Sequence, residues 1–245
     1  MSEYTRTKSK IFFAQSKFDF SYINYRNKYS KNIKKIFKSK KIKSKLIFIK
    51  DFKHNSFLKK INNRYFKSKG NIENLIFAYE ISKNLKISEK IVIKALNNFK
   101  GLPHRQEIVL SNKKFLCIND SKATSFDASL QALRNYNKIY WIVGGLQKYR
   151  DTFDLKSVRK KIIKAYIIGK NVSFFKKEIK NKISYTISKN MKNALINIQK
   201  DLKLNENFKK TILLSPAAAS FDQFDNFEKR GIFFKSLVTK KFNKG

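Results

Sequence analysis

The sequence predicts an α/β protein whose second part is built on a mainly parallel sheet. Three observations carry that expectation. Beyond Pro103, apolar strand-like runs alternate with helical ones, the order that βαβ units produce. One run, Ile139–Val143 (IYWIV), is apolar at every position and closes on Gly144–Gly145, as a strand buried on both faces does. Gly101 and Pro103 separate this region from a less regular one, so a domain boundary is expected there, dividing 1–102 from 103–245.

In chain order, Phe18–Tyr25 (FDFSYINY) and Lys45–Phe52 (KLIFIKDF) are rich in aromatic and β-branched residues and predict strands. Between them, Lys28–Lys43 holds 8 lysines in 16 residues and reads as a solvated connector or a frayed helix. From Asn71 the pattern NIENLIFAYEISKNLK is helical. A second helix is expected after Ser88 as N-cap, with Ile91, Ala95, Leu96 and Phe99 on one face. Glu107–Leu110 and Phe115–Asn119 flank a polar SNKK and predict a hairpin. Ala165–Gly169, Ser184–Ile187 and Thr211–Ser215 are further strands. Met191, Ala194, Leu195, Ile198 and Leu202 share one helical face, and Phe227, Phe234, Leu237 and Val238 share another. In parallel sheets ligands sit beyond the carboxyl ends of the strands. The loops Asp120–Ser125, Gly144–Arg150 and Pro216–Phe227 are therefore the segments to search for function.

Composition bounds the function class. No apolar run is long enough to span a bilayer, and Ile11–Phe13 is too short for a secretory signal. A lone cysteine, Cys117, excludes an internal disulfide framework and fits a reducing compartment, so a soluble cytoplasmic protein without membrane insertion is expected. The net charge of +39 raises a rival reading, a basic nucleic-acid-binding protein. The lysines are spread along the chain, however, beside abundant Asn, Ile and Phe, as an AT-rich coding sequence produces. Neither an RNP-like aromatic pattern nor a zinc-finger spacing is present, and no nucleic-acid partner is expected. The charge favours anionic ligands of any kind.

Three segments carry chemistry. The first is Gly101–Glu107 (GLPHRQE) followed by Asn119–Ser125 (NDSKATS); the second is Gly144–Lys148 (GGLQK); the third is Leu214–Gly231 (LSPAAASFDQFDNFEKRG). Asp120 and Lys122 stand where a strand ends and a helix begins, where backbone N–H groups and a lysine can meet phosphates. Asp120 can equally be a capping residue, Lys122 a solvated surface lysine and Thr124 a helix cap. Arg105 has the forked guanidinium suited to phosphate, beside His104, which reads as a packed hinge residue. Phe227 starts an apolar stripe and can belong to the core.

In order and spacing, these segments resemble the Mur ligase family, and within it the members that add D-glutamate, across most of residues 71–245. The resemblance implies a Rossmann-like C-terminal domain over 103–245, preceded over 1–102 by the last part of a P-loop-type ATPase domain. It implies ATP-dependent joining of D-glutamate to UDP-N-acetylmuramoyl-L-alanine through an acyl phosphate, with Mg2+. Arg105, Asp120 and Lys122 would serve ATP, Arg105 and Lys122 acting in catalysis, and Asn74 would meet the adenine. Lys148 would bind a carboxylate of D-glutamate, with Thr124, Ser220, Phe221 and Phe227 around it; family members often carry leucine at the position of Phe221. The run Tyr4–Phe12 resembles the segment of the family's carbamylated lysine, which places Lys8 there. A lysine amine cannot hold magnesium, whereas a carbamate supplies oxygen ligands, so Lys8 is a catalytic and metal candidate only if carbamylated.

Against the resemblance, three family elements are expected to be missing: the phosphate-cradling loop, the UDP-binding N-terminal domain, and the upstream glutamate and histidine that bind magnesium. None of the seven glycines (Gly70, Gly101, Gly144, Gly145, Gly169, Gly231, Gly245) fits the spacing G-x-x-x-x-G-K-S/T of a phosphate-cradling loop. The expectation is a fragment that carries the family's ligation incompletely on its own; the alternative is a non-catalytic remnant, or half of a split ligase that pairs with a separate N-terminal chain. Residues 1–102 are expected to be less stable alone than 103–245, because the parallel sheet there would lack its first strands.

Overall fold

The computed structural model describes residues 3–26, 29–49, 55–67, 69–203 and 209–242. The chain divides into two compact units, Met1–Lys100 and Gly101–Gly245.

The first unit contains α1 (Glu3–Ser9), β1 (Phe20–Asn24), α2 (Ser30–Ser39), β2 (Lys45–Ile49), α3 (Asn55–Lys59), α4 (Lys69–Asn84) and α5 (Glu89–Asn98). β1 and β2 pair in parallel, from Phe20 opposite Lys45 to Asn24 opposite Ile49. A parallel pair needs a crossover, and α2 supplies it. Within the lysine-rich run the described residues thus form a regular helix rather than a connector; Lys28 and residues 50–52 lie outside the described residues. Its lysines face water while Ile36 and Phe37 are buried, and Phe12 sets its ring 5.0 Å from Phe37. A second cluster joins Phe57, Leu75 and Val92, with Phe57 stacked on Tyr79 at 3.8 Å. In α5 the buried position is Val92, with Ile93 and Leu96 packed beside it, whereas Ile91 and Ala95 face solvent. Of the face expected above, Leu96 and Phe99 do pack inward, Phe99 stacking on Phe66 at 5.8 Å, while Val92 takes the buried place expected of Ile91 and clusters with Leu75 and Phe57.

The second unit is a six-stranded sheet with helices on both faces. Its elements are β3 (Glu107–Ser111), β4 (Phe115–Asn119), α6 (Phe126–Asn135), β5 (Ile139–Gly144), β6 (Ile162–Ile168), α7 (Val172–Ile179), β7 (Tyr185–Lys189), α8 (Met191–Lys203), β8 (Lys210–Leu214) and α9 (Phe227–Phe242). The strand order is β3-β4-β8-β5-β6-β7, parallel throughout except for the antiparallel edge pair β3–β4. Side chains alternate between the faces, so one strand serves two cores. Ile139, Trp141 and Val143 of β5 join Phe126, Leu133, Phe153 and Phe175 on one side. Tyr140 and Ile142 join Leu195, Ile198, Phe234 and Val238 of α8 and α9 on the other. Burial on both faces explains the unbroken apolar run of β5, which is buried at all six positions.

β8, last in sequence among the strands, is inserted between β4 and β5. The chain leaves β4 and reaches β5 across the place that β8 later fills. Such a switch opens a crevice at the carboxyl ends of the strands, where the loops after β4, β5 and β8 emerge together. Among the described residues no helix is long and apolar enough to cross a membrane.

Candidate active site at the carboxyl edge of the sheet

The end of β4 is fixed by buried polar contacts. The Asp120 N–H donates to the Leu214 carbonyl at 2.7 Å, which continues the β4–β8 pairing into the loop. The Asp120 carboxylate is buried and accepts the Ser215 hydroxyl at 2.7 Å and the Gln106 N–H at 3.2 Å. Burial pushes this carboxyl up to about 7, against the pull of Ser215, Gln106 and the Arg105 guanidinium in the other direction. Asp120 is therefore held by other loops and is not a solvated capping group. The helix cap that Thr124 offers in the sequence is not made. The N-cap of α6 is Ser125, without a side-chain cap bond, and the Phe126 N–H goes to Asp151 Oδ2 at 2.8 Å. Thr124 is left exposed beside Lys122.

Lys122 reaches across to α9. Its Nζ lies 3.8 Å from the centroid of the Phe227 ring, close enough for a cation–π contact. Phe227 is half-buried, and its ring also meets His104 edge-on at 6.1 Å. His104 is buried at a positive φ of 61°, with Nδ1 2.9 Å from the Asn119 amide nitrogen. Burial holds its imidazole below the usual value, with the Lys235 charge adding to that and the Glu107 and Glu228 carboxylates opposing it. Arg105, the next residue, is exposed.

The loop after β5 meets the loop after β8 directly. Leu146 and Ala219 exchange two backbone hydrogen bonds of 2.9 Å, an isolated antiparallel bridge. Gly144 and Gly145 have φ of +133°, and a Cβ would run into the Ile168 carbonyl at the first and the Ala219 carbonyl at the second. Gly145 is thus what lets the two loops approach, while Gly144 lets the end of β5 lie against the end of β6. Beyond them Lys148 is exposed, Ser220 is buried, and Phe221 is 69% exposed.

The structure therefore brings Arg105, Asp120, Lys122, Thr124, Lys148, Ser220 and Phe221 to loops at one edge of one sheet, with Phe227 at the start of α9 beside them. Asn74, exposed in the second turn of α4, and Lys8, exposed in α1, belong to the first unit. Among the described residues no three His, Cys, Asp or Glu side chains converge as a metal-binding group. The described side chains do not by themselves fit a magnesium ion.

Arg230 belongs to this edge and no role is read for it in the sequence. Only 1% exposed, it donates from Nε to the Ser121 hydroxyl at 2.9 Å, and from Nη2 to the carbonyls of Ser121 at 2.8 Å and Ala218 at 3.0 Å. Burial lowers its pKa to about 10, with the Asp222 carboxylate acting against that. A signal was available: Phe227, Arg230, Gly231, Phe234 and Val238 follow helical spacing, and an arginine on an apolar stripe must be satisfied from inside.

No family model matches the sequence. Among curated proteins, the chain is similar to the UDP-N-acetylmuramoylalanine–D-glutamate ligase of Rickettsia felis, 31% identical over 255 residues, 97% of this chain and 56% of that protein. The enzyme of the same name from Wolbachia sp. subsp. Brugia malayi is 38% identical over 171 residues, 69% of this chain and 34% of its own length. The chain spans about half the length, or less, of these relatives. Among solved structures, MurF from Acinetobacter baumannii superposes with a TM-score of 0.64 at 13% identity, over 94% of this chain and 55% of that one. The bifunctional folylpolyglutamate synthase/dihydrofolate synthase of Yersinia pestis, solved with AMPPNP and a manganese ion, gives 0.61 at 12% identity over 95% and 55%. At such identities the two structures speak for a shared fold.

Proposed function

We infer that this chain, which belongs to the Mur ligase family by its likeness along nearly all its length to ligases that add D-glutamate, forms the amino-acid-binding half of such an enzyme and part of its ATP site. In this reading 103–245 is the C-terminal domain and 1–102 the end of the ATPase domain. The single observation that supports it best is the joining of three loops at one sheet edge. Leu146 pairs with Ala219, and Lys122 lies on Phe227.

The reaction needs a carboxylate turned into an acyl donor. ATP transfers its terminal phosphoryl group to the carboxylate of UDP-N-acetylmuramoyl-L-alanine, releasing ADP. The amine of D-glutamate then attacks the acyl carbon, and phosphate leaves. Cationic groups fixed where phosphate charge gathers lower both barriers. Arg105 and Lys122 would supply that charge, Asp120 would meet the nucleotide and Asn74 its adenine. Lys148 would fix a carboxylate of D-glutamate, with Thr124, Ser220, Phe221 and Phe227 shaping the pocket. Magnesium would neutralise phosphate charge in the complete enzyme, with Lys8 among its ligands only as a carbamate. The phosphate-cradling loop would lie outside the 245 residues of this sequence.

The test is calorimetric titration of the full chain with D-glutamate, then of Lys148→Ala. Binding that weakens about tenfold or more in the variant supports the reading. Absence of D-glutamate binding to the parent chain, or an unchanged affinity in Lys148→Ala, overturns it.

A further inference from the structure

The segment bearing Ser220 and Phe221 is pinned on every side by contacts that do not involve those two side chains. Before it, Arg230 holds the Ala218 carbonyl and Leu146 pairs with Ala219. Within it, the N–H groups of Gln223 and Phe224 return to the Ser220 carbonyl at 3.0 and 2.8 Å. After it, Asp222 Oδ2 accepts the Lys170 N–H at 2.9 Å, and the Gln223 amide donates to the Lys189 carbonyl at 3.0 Å. That carbonyl also takes the Gly169 N–H at 2.9 Å, so the ends of β6 and β7 share the anchor. Gly169, at φ +87°, has no room for a side chain: a Cβ would run into Asp222 Oδ2 and come within 2.8 Å of the Gly145 nitrogen.

From this geometry we propose that Asp222 is a positioning residue for the amino-acid substrate, its carboxylate tying the Ser220–Phe221 segment to the end of β6. The inference rests on the reading of this edge as a D-glutamate site. Phe221 is mostly exposed and has little packing to hold it, so its place is set by the backbone on either side. A pocket displaced by about an ångström can lose on the order of a hundredfold in effective geometry. Asp222 stands next to Phe221 and two residues from Ser220, so its bond to Lys170 is the shortest route by which β6 can fix both.

Three variants of the full chain test it: Asp222→Ala, Asp222→Asn and Gly169→Ala, each titrated with D-glutamate and with L-glutamate and unfolded in urea. Asp222→Ala should weaken D-glutamate binding about tenfold and narrow the preference over L-glutamate. Asp222→Asn keeps an oxygen that can accept the Lys170 N–H and should restore most of both. Gly169→Ala, which pushes on the carboxylate from the other side, should reproduce the alanine defect. A folded Asp222→Ala that binds and discriminates as the parent overturns the proposal, as does an asparagine variant no better than alanine. If Asp222→Ala does not fold, parent-like binding in Gly169→Ala overturns it equally. A parent chain that binds no D-glutamate instead overturns the reading of the edge itself, which separates the two failures.

Discussion

Arg230 and Ser121 are joined twice, through Nε to the serine hydroxyl and through Nη2 to its carbonyl, so α9 is locked onto the loop after β4. The Ser121 hydroxyl passes the contact on to the Phe227 carbonyl at 2.8 Å, in the first turn of α9. This is a buried cation held by neutral oxygens through Nε and Nη2, while its Nη1 is buried without a hydrogen-bond partner.

Removing it should unfold more than it frees. Arg230→Ala strands the carbonyls of Ser121 and Ala218 in a dry interior, which costs roughly 2–4 kcal/mol of stability for the set. Arg230→Lys should recover little, because a single ammonium cannot reproduce two forked contacts. Urea unfolding of both variants checks this, and a loss under about 0.5 kcal/mol in either would show that the network is dispensable.

Gly231 makes a second, narrower prediction. A Cβ there would run into His104 Nδ1, so the glycine is what lets α9 lie against the buried imidazole. Gly231→Ala should cost about 1–3 kcal/mol by overpacking, although alanine suits a helix better than glycine does. In a His104→Ala background the same substitution should be close to neutral or stabilising. A penalty independent of residue 104 would mean that the helix backbone, not the imidazole, is what resists it.

The second unit was legible in the sequence because its strands are doubly buried. Ile139–Val143 can hardly be anything else, and of the two glycines after it Gly144 is required by the Ile168 carbonyl and Gly145 by the loop approach at Ala219. The placement of Lys122, Lys148 and Ser220 at the same end of the sheet follows from βαβ order once the strands are known. α2 was harder, because its lysines mask an inward stripe as short as Ile36 and Phe37. The insertion of β8 between β4 and β5 could not be read at all, since strand order depends on pairings between segments some 95 residues apart, such as Asn119 with Leu214. The support given by Asp151 and Asp222 is likewise long-range: each acts on a backbone group far away in the chain, which leaves no local pattern, whereas Arg230 stands out locally by its place on the apolar stripe of α9.

Asp120 sets a pH dependence whose sign can be worked out. Burial raises its folded pKa from 3.8 to about 7, so between those values the folded chain holds a proton that the unfolded chain has released. Stability from this group therefore falls as pH rises from about 4 to 7, by an amount on the order of a few kcal/mol, and levels off above. His104 works against it, since an imidazole held down by burial disfavours folding below its unfolded pKa near 6.5. Glu107 also opposes it. Burial pushes that carboxyl up, but Lys235 and the His104 N–H outweigh it, and the stability they confer is lost as pH falls through the lowered pKa. The clean measurement is a difference: urea stabilities of parent and Asp120→Asn from pH 4 to 8. The parent should lose ground to the variant as pH rises to 7; parallel curves would mean that the carboxyl titrates normally.

The two units should differ in resistance to proteolysis. In the first, the described strands form a two-stranded parallel ribbon, too small to be stable without what packs on it, and its separate core cluster centres on Phe57, Leu75 and Val92. The second has six strands and an extensive core on each face of the sheet. Lysines are spread through both, so trypsin finds sites everywhere and its choice reports local opening rather than sequence. Brief digestion should cut within 1–100 first and leave a resistant piece starting near Gly101, because opening a small cluster costs far less than opening a doubly covered sheet. Accumulation of an N-terminal fragment while 101–245 disappears would reverse the order of stabilities argued from the two cores.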